Sequence, residues 1–172
     1  MKKLLQSLAL LLLITCGVTA NAQNYKMAVG ARLGVPISAS FKLFVSESAA
    51  IEVFANYRSD KVRTIFGTYS WSSTGVGAAY QLHADIDAVD GLQWYYGAGA
   101  SVLYYNYGDT GYYDDYSNLS FGIQGNIGLD YTFQNVPINL SADWVPTYYI
   151  NGFISGFGAG YGAFSVRYII SE

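Results

Sequence analysis

Between Leu119 and Phe133 the chain alternates without a break. Odd positions read Leu119, Phe121, Ile123, Gly125, Ile127, Leu129, Tyr131 and Phe133; even positions read Ser120, Gly122, Gln124, Asn126, Gly128, Asp130 and Thr132. Successive side chains of a β-strand point to opposite faces, so the segment is a ribbon with one apolar and one polar side. Strands of soluble sheets commonly run to ~5–6 residues. This stretch is far longer and suits a strand tilted across a bilayer, with overhangs.

The same rhythm recurs along the chain. Ile138, Leu140, Ala142, Trp144, Pro146, Tyr148 and Ile150 alternate with positions that begin Asn139, Ser141, Asp143. Tyr25, Met27, Val29, Ala31 and Leu33 oppose Lys26, Gly30 and Arg32. Phe41, Leu43 and Val45 oppose Ser40 and Lys42, and Ile51, Val53, Ala55 and Tyr57 oppose Glu52, Asn56 and Arg58. Val76 to Leu82, Leu92 to Tyr104 and Phe164 to Ile170 read likewise, with Gln81, His83 and Arg167 among their polar positions. Eight strands follow, at roughly 25–34, 38–46, 49–58, 73–85, 92–106, 118–133, 137–150 and 156–170. Residues 59–72 either extend the third and fourth strands or form a loop.

On this register no charged residue falls on the apolar face. The opposite face carries Lys26, Arg32, Lys42, Arg58 and Arg167 with Glu52, Asp85, Asp130 and Asp143, and the single histidine, His83. A closed barrel of about eight strands has an interior only wide enough for side chains. Charges enclosed there must neutralise one another, because a lone buried charge is costly. The expected fold is therefore all-β, an eight-stranded antiparallel up-and-down transmembrane β-barrel. Lipid wets its outside, and an ion network of those ten residues fills its inside. Closure also removes the open sheet edges that lipid cannot satisfy.

Composition agrees. Charged residues make up 12%, against the ~25% usual in soluble domains, while Tyr (17) and Gly (19) abound. Aromatics near strand ends suit two interfacial girdles, Tyr25, Trp94, Tyr131, Phe133 and Tyr168 at one end and Tyr57, Tyr104, Trp144 and Tyr148 toward the other. The start, Met1-Lys2-Lys3 followed by the apolar run Leu4 to Ile14 and then Thr19-Ala20-Asn21-Ala22, reads as a signal peptide over 1–22, leaving 23–172 as the barrel domain. Cys16, the only cysteine, falls within that leader and excludes a disulfide framework. As a lipoprotein cysteine it would need a small residue before it, where Thr15 stands. After the leader, seven Lys and Arg face twelve Asp and Glu, a balance against nucleic-acid binding. An even strand number places both termini on the periplasmic side with the short turns, and the connections near 34–37, 59–72, 107–117 and 151–155 outside.

Several pieces carry a family resemblance: Arg32-Leu33-Gly34, Phe44-Val45-Ser46-Glu47, Trp94-Tyr95-Tyr96-Gly97, Gly128 to Phe133, Asp143-Trp144 and Ser165-Val166-Arg167-Tyr168. Taken in order they resemble small outer-membrane barrels of the OmpA/OmpX type and the short outer-membrane β-barrel proteins of Bacteroidota. The resemblance implies insertion by the outer-membrane assembly machinery, with Tyr168 and Ile170 standing in for an aromatic terminal signal. It implies no catalytic activity.

The candidate chemistry is sparse. His83 and Asp85 share a face, but a catalytic base also needs a nucleophile in reach, and an inward pair near a barrel end reads better as an interior ion pair. Gly156, Gly158, Gly160 and Gly162 are not followed by a helical pattern, so they are not a phosphate loop. One histidine and no cysteine after the leader give no metal-ligand spacing. The loop at 107–117 is the distinctive exposed feature. Asp109, Tyr112, Tyr113, Asp114, Asp115 and Tyr116 offer recognition surface toward an extracellular ligand, and its aspartates could hold Ca²⁺ only in a non-standard arrangement. No catalytic residue, cofactor or metal is assigned. The expected role is a non-enzymatic structural or surface-interaction barrel in the cell outer membrane, among outer-membrane lipids and lipopolysaccharide. The alternatives are a soluble lipocalin-like ligand-binding barrel and an outer-membrane lipid-modifying enzyme centred on His83.

Overall fold

The computed structural model describes residues 25–64, 67–107, 118–151, 155–158 and 162–171. The leader and the loop residues Asp109, Tyr112, Tyr113, Asp114, Asp115 and Tyr116 lie outside the described residues.

The described chain is all strand and turn: β1 (Met27–Gly34), β2 (Ile37–Phe44), β3 (Ala49–Thr64), β4 (Gly67–Asp85), β5 (Leu92–Tyr107), β6 (Leu119–Thr132), β7 (Ile138–Trp144), β8 (Thr147–Tyr149), β9 (Gly156–Gly158) and β10 (Gly162–Ser171). β7 and β8 both pair with β6 and form a single stave, interrupted at Val145-Pro146. Proline has no N–H to donate to a ladder. Its carbonyl still accepts from the Gly125 amide at 2.9 Å, so β6 stays attached across the break. β9 pairs with β8 and β10 with β7, making the eighth stave. Every neighbour is antiparallel, and the β1–β10 pairing closes an eight-stave barrel.

Short turns join the staves at the end that holds the chain termini, across 45–48, 86–91 and 133–137. The first is closed by Val45 N–H to the Ala49 carbonyl at 2.8 Å and the second by Ile86 N–H to the Leu92 carbonyl at 2.9 Å. In that second turn Gly91 adopts φ 79°, a left-handed conformation that other residues rarely take. At the opposite, distal end the staves are uneven. β2 begins pairing with β3 at Ile37–Tyr57, whereas the β3–β4 ladder continues to Thr64–Gly67. Residues 59–64 and 67–72 thus extend the third and fourth strands into a hairpin that overtops β2.

The alternation is resolved as apolar outside and polar inside. Val53, Val76, Ile123, Ile127, Leu129 and Tyr168 are exposed on the outer wall, while Arg167, Lys42, Glu52 and Asp130 are 0–1% exposed in the interior. Glycines on the inner wall give the large interior groups their room. A Cβ at Gly128 would sit 2.9 Å from the Tyr95 ring, and one at Gly77 would meet the Phe54 ring at 2.6 Å.

The parity fails at the start of the first strand. The β1–β10 register shifts between Met27 and Ala28, so the residues before the shift exchange faces. Tyr25, expected in the girdle, is buried at 2% exposure with its ring edge-on to Phe44 at 5.1 Å. Lys26, expected inside, is exposed.

Candidate functional site

The interior of the terminus-side half of the barrel is a single connected ionic network. Arg32 of β1 donates to Glu52 of β3 and to Asp143 of β7, each at 2.8 Å. Arg167 of β10 donates from Nη2 to the other Glu52 oxygen at 2.6 Å and from Nη1 to Asn139 Oδ1 at 3.2 Å. Asn139 in turn donates to Asp130 of β6, and Asp130 accepts from Lys42 Nζ of β2 at 2.8 Å. Gln81 of β4 donates to Glu52 at 2.8 Å, and the Tyr95 hydroxyl of β5 donates to Asp143 at 2.7 Å. Each of the eight staves contributes at least one side chain. Three cations (Arg32, Lys42, Arg167) meet three carboxylates (Glu52, Asp130, Asp143), so the network is neutral.

Neutrality and the hydrogen bonds to the charged groups are what make such burial tolerable, since desolvating an ion costs several kcal/mol. Ser40 and Ser141 take two further Arg167 donors at 3.0 and 2.8 Å. The second Asp143 oxygen accepts the Ala163 amide at 3.1 Å. Lys42 is also seated 4.6 Å above the Tyr95 ring, a cation–π contact. The barrel wall supplies these partners because inward side chains recur every second residue, and adjacent staves stand only ~4.8 Å apart.

Four residues expected in the interior network stand apart from it. Lys26 is on the surface, for the register reason given above. Arg58 lies at the distal rim, about a third exposed, with Asp60 at 2.6 Å and the Trp71 ring 5.0 Å away. Asp85 sits at the terminus rim and accepts from Gln93 at 2.8 Å. His83 is buried, but stacked on Tyr95 at 4.9 Å and packed against Phe44 at 4.8 Å rather than ion-paired. Neither of its ring nitrogens accepts from or donates to a carboxylate among the described residues. An imidazole enclosed between two aromatic rings has no open side for a substrate. Among the described residues no cluster of His, Cys, Asp and Glu is suited to a metal ion.

Sequence reasoning passed over Tyr95, Gln81, Asn139 and the serines at 40 and 141 as functional partners. Their parity marks them, since each shares a face with a charged residue or a histidine on its own strand, or with the inward glycines of β5. What one strand cannot show is which residue of the next it meets.

Distal to the network the interior opens into a cavity of about 70 Å³, floored by Arg32 and walled by Phe54, Asn56, Gln124, Thr147 and Tyr149. A few waters fit there at ~30 Å³ each, whereas small-molecule sites run to ~300–1,000 Å³. That cavity is far below what a lipocalin-like ligand requires, and the inner face beside it is ionic.

No protein-family model and no curated protein matches the chain. Among solved structures it is similar to neisserial surface protein A, with a TM-score of 0.61 and 16% sequence identity, covering 84% of this chain and 93% of that one. At that identity the likeness is one of fold: an eight-stave antiparallel barrel of matching length.

Proposed function

We propose that this chain is an integral outer-membrane β-barrel with a sealed polar interior, serving a non-enzymatic structural or surface-interaction role. One observation carries the reading: the charges are inverted relative to a soluble protein. Large apolar side chains such as Val76, Tyr57 and Phe157 are 59–67% exposed, while Arg167, Glu52 and Lys42 are 0–1% exposed. Water would reward the opposite arrangement; hydrocarbon rewards this one. The likeness to a neisserial surface protein supports the same address.

In this reading residues 1–22 export the chain and the assembly machinery inserts it. The termini and short turns face the periplasm, and the distal hairpins face outward. The loop at 107–117, with Asp109, Tyr112, Tyr113, Asp114, Asp115 and Tyr116, is then available to an extracellular ligand. The enclosed His83 weighs against a lipid-modifying enzyme, and the ionic interior weighs against a soluble carrier.

The test is gel mobility of membrane-extracted protein with and without boiling, combined with surface proteolysis of intact cells. A heat-modifiable band in the outer-membrane fraction, cleaved within 107–117 from outside, is expected. Recovery of the processed chain from the soluble fraction without detergent would refute the reading.

A further inference from the structure

The outer wall above the distal aromatic collar carries a graded polar face. Tyr57, Thr74 and Tyr104 are register partners in one outward row across β3, β4 and β5. The next outward row is Ser59, Ser72 and Asn106, and the next pairs Lys61 with Ser70. Arg63 follows two residues beyond Lys61 on the same face, and both cations are exposed. Lys61 stands four residues past Tyr57, or ~13 Å along the strand. At a tilt of ~35–45° that is about 10 Å of height above the collar, the depth of lipid headgroups.

Neither cation is in an ion pair among the described residues. The adjacent acid, Asp60, points to the inner face and is taken by Arg58 at 2.6 Å. No acidic residue shares the outward face of β3, β4 or β5. The other described cations are placed elsewhere: Arg32, Lys42 and Arg167 in the interior network, Arg58 against Asp60 and Lys26 at the terminus end. Among the described residues the distal hairpin therefore presents two positive charges with no acidic partner, fringed by hydroxyls and continuous with the apolar belt.

We infer that Lys61 and Arg63, with the outward Ser70 beside Lys61 and Ser72 and Ser59 below, bind the phosphate of an anionic lipid headgroup whose acyl chains lie against the apolar wall of β3 and β4. This rests on the membrane-embedded reading above. Arginine meets phosphate with a two-pronged fork, lysine as a point charge, and serine hydroxyls donate single hydrogen bonds. The exposed apolar residues Val53, Tyr57 and Val76 on the wall beneath favour a phosphate that arrives on a lipid over one free in solution.

The test refolds the barrel into phosphatidylcholine vesicles containing a minor fraction of diphosphorylated lipid A or of its dephosphorylated form. Folding is read by heat-modifiable mobility, and retained glycolipid by mass spectrometry of the repurified barrel. The wild type should retain the phosphorylated form preferentially, less so at high salt. K61S/R63S should lose about twenty-fivefold of that preference, from roughly fivefold for each of the two cations near an anionic surface. K61R/R63K and K26S should keep it. A folded wild type that retains both glycolipids equally overturns the inference, as does a folded K61S/R63S with undiminished preference. Displacement of the lipid by millimolar inorganic phosphate would equally overturn it, making the site one for free anions. A wild type that folds into no vesicle removes the membrane reading itself.

Discussion

At the residue scale, Glu52 is the hub of the interior. Its two oxygens accept from Arg32, Arg167 and Gln81, so removing it leaves two buried guanidiniums short of a partner. Breaking a buried pair from one side costs ~3–5 kcal/mol, much more than the pair contributes over an apolar replacement. Glu52→Ala should lower the stability of the barrel in vesicles by about that amount, measured by urea titration of the folded gel band. An unchanged midpoint would show that the network is solvated rather than sealed. The charged members were legible in the sequence because strand parity alone sorts them: Arg32, Lys42, Glu52, Asp130, Asp143 and Arg167 all share the inward phase. Parity also explains the failure at Lys26. A one-residue register shift at Met27 reverses every face beyond it, and no local signal in Tyr25-Lys26-Met27 announces that shift. The partners were not legible, since register between strands is a property of the closed sheet.

At the element scale, each stave must satisfy two solvents at once. The inner wall has no spare volume at Gly128, where an added Cβ would lie 2.8 Å from Asp143 and 2.9 Å from Tyr95. Gly128→Val should therefore displace the Tyr95–Asp143 hydrogen bond and cost ~1–3 kcal/mol by overpacking, read as a lower urea midpoint. The outer wall is sensitive to depth instead. Val53→Arg, on the exposed apolar face of β3, should cost ~2–4 kcal/mol if it meets the bilayer midplane, and Ser59→Arg ~0–1 near the interface. Equal costs at both positions would remove the lipid from the outer wall. The same strand shows where sequence patterning loses force. Residues 59–64 and 67–72 are paired strand, yet outside the membrane level nothing requires their outer face to be apolar. Ser59, Lys61, Arg63, Ser70 and Ser72 consequently erase the hydrophobic period while the ladder continues. The seventh stave kept its period through Pro146, because the break at Val145-Pro146 does not change which side each residue faces.

At the scale of the whole molecule, closure and filling depend on the same stave. β10 pairs with β1 on one side and β7 on the other, and it delivers Arg167, which joins the Glu52 side of the network to the Asp130 side through Asn139. These two contributions can be separated. A chain ending at residue 158 loses the backbone of β10 and exposes the inner edges of β1 and β7, whose N–H and C=O groups hydrocarbon cannot satisfy. Arg167→Met keeps both ladders intact and removes only the guanidinium, leaving Glu52 with Arg32 and Gln81. The truncated chain should yield no heat-modifiable band in vesicles at any urea concentration. Arg167→Met should still give that band, with its midpoint shifted by ~3–5 kcal/mol. If the truncated chain folded, the remaining seven staves would have to close on themselves, and the β1–β10 seam would not be what completes the barrel. If Arg167→Met failed to fold as completely as the truncation, the polar filling rather than the hydrogen-bonded wall would determine whether the barrel forms. The geometry favours the wall, because every stave is hydrogen-bonded to two neighbours and the network adds only side-chain ties across a ring that is already closed.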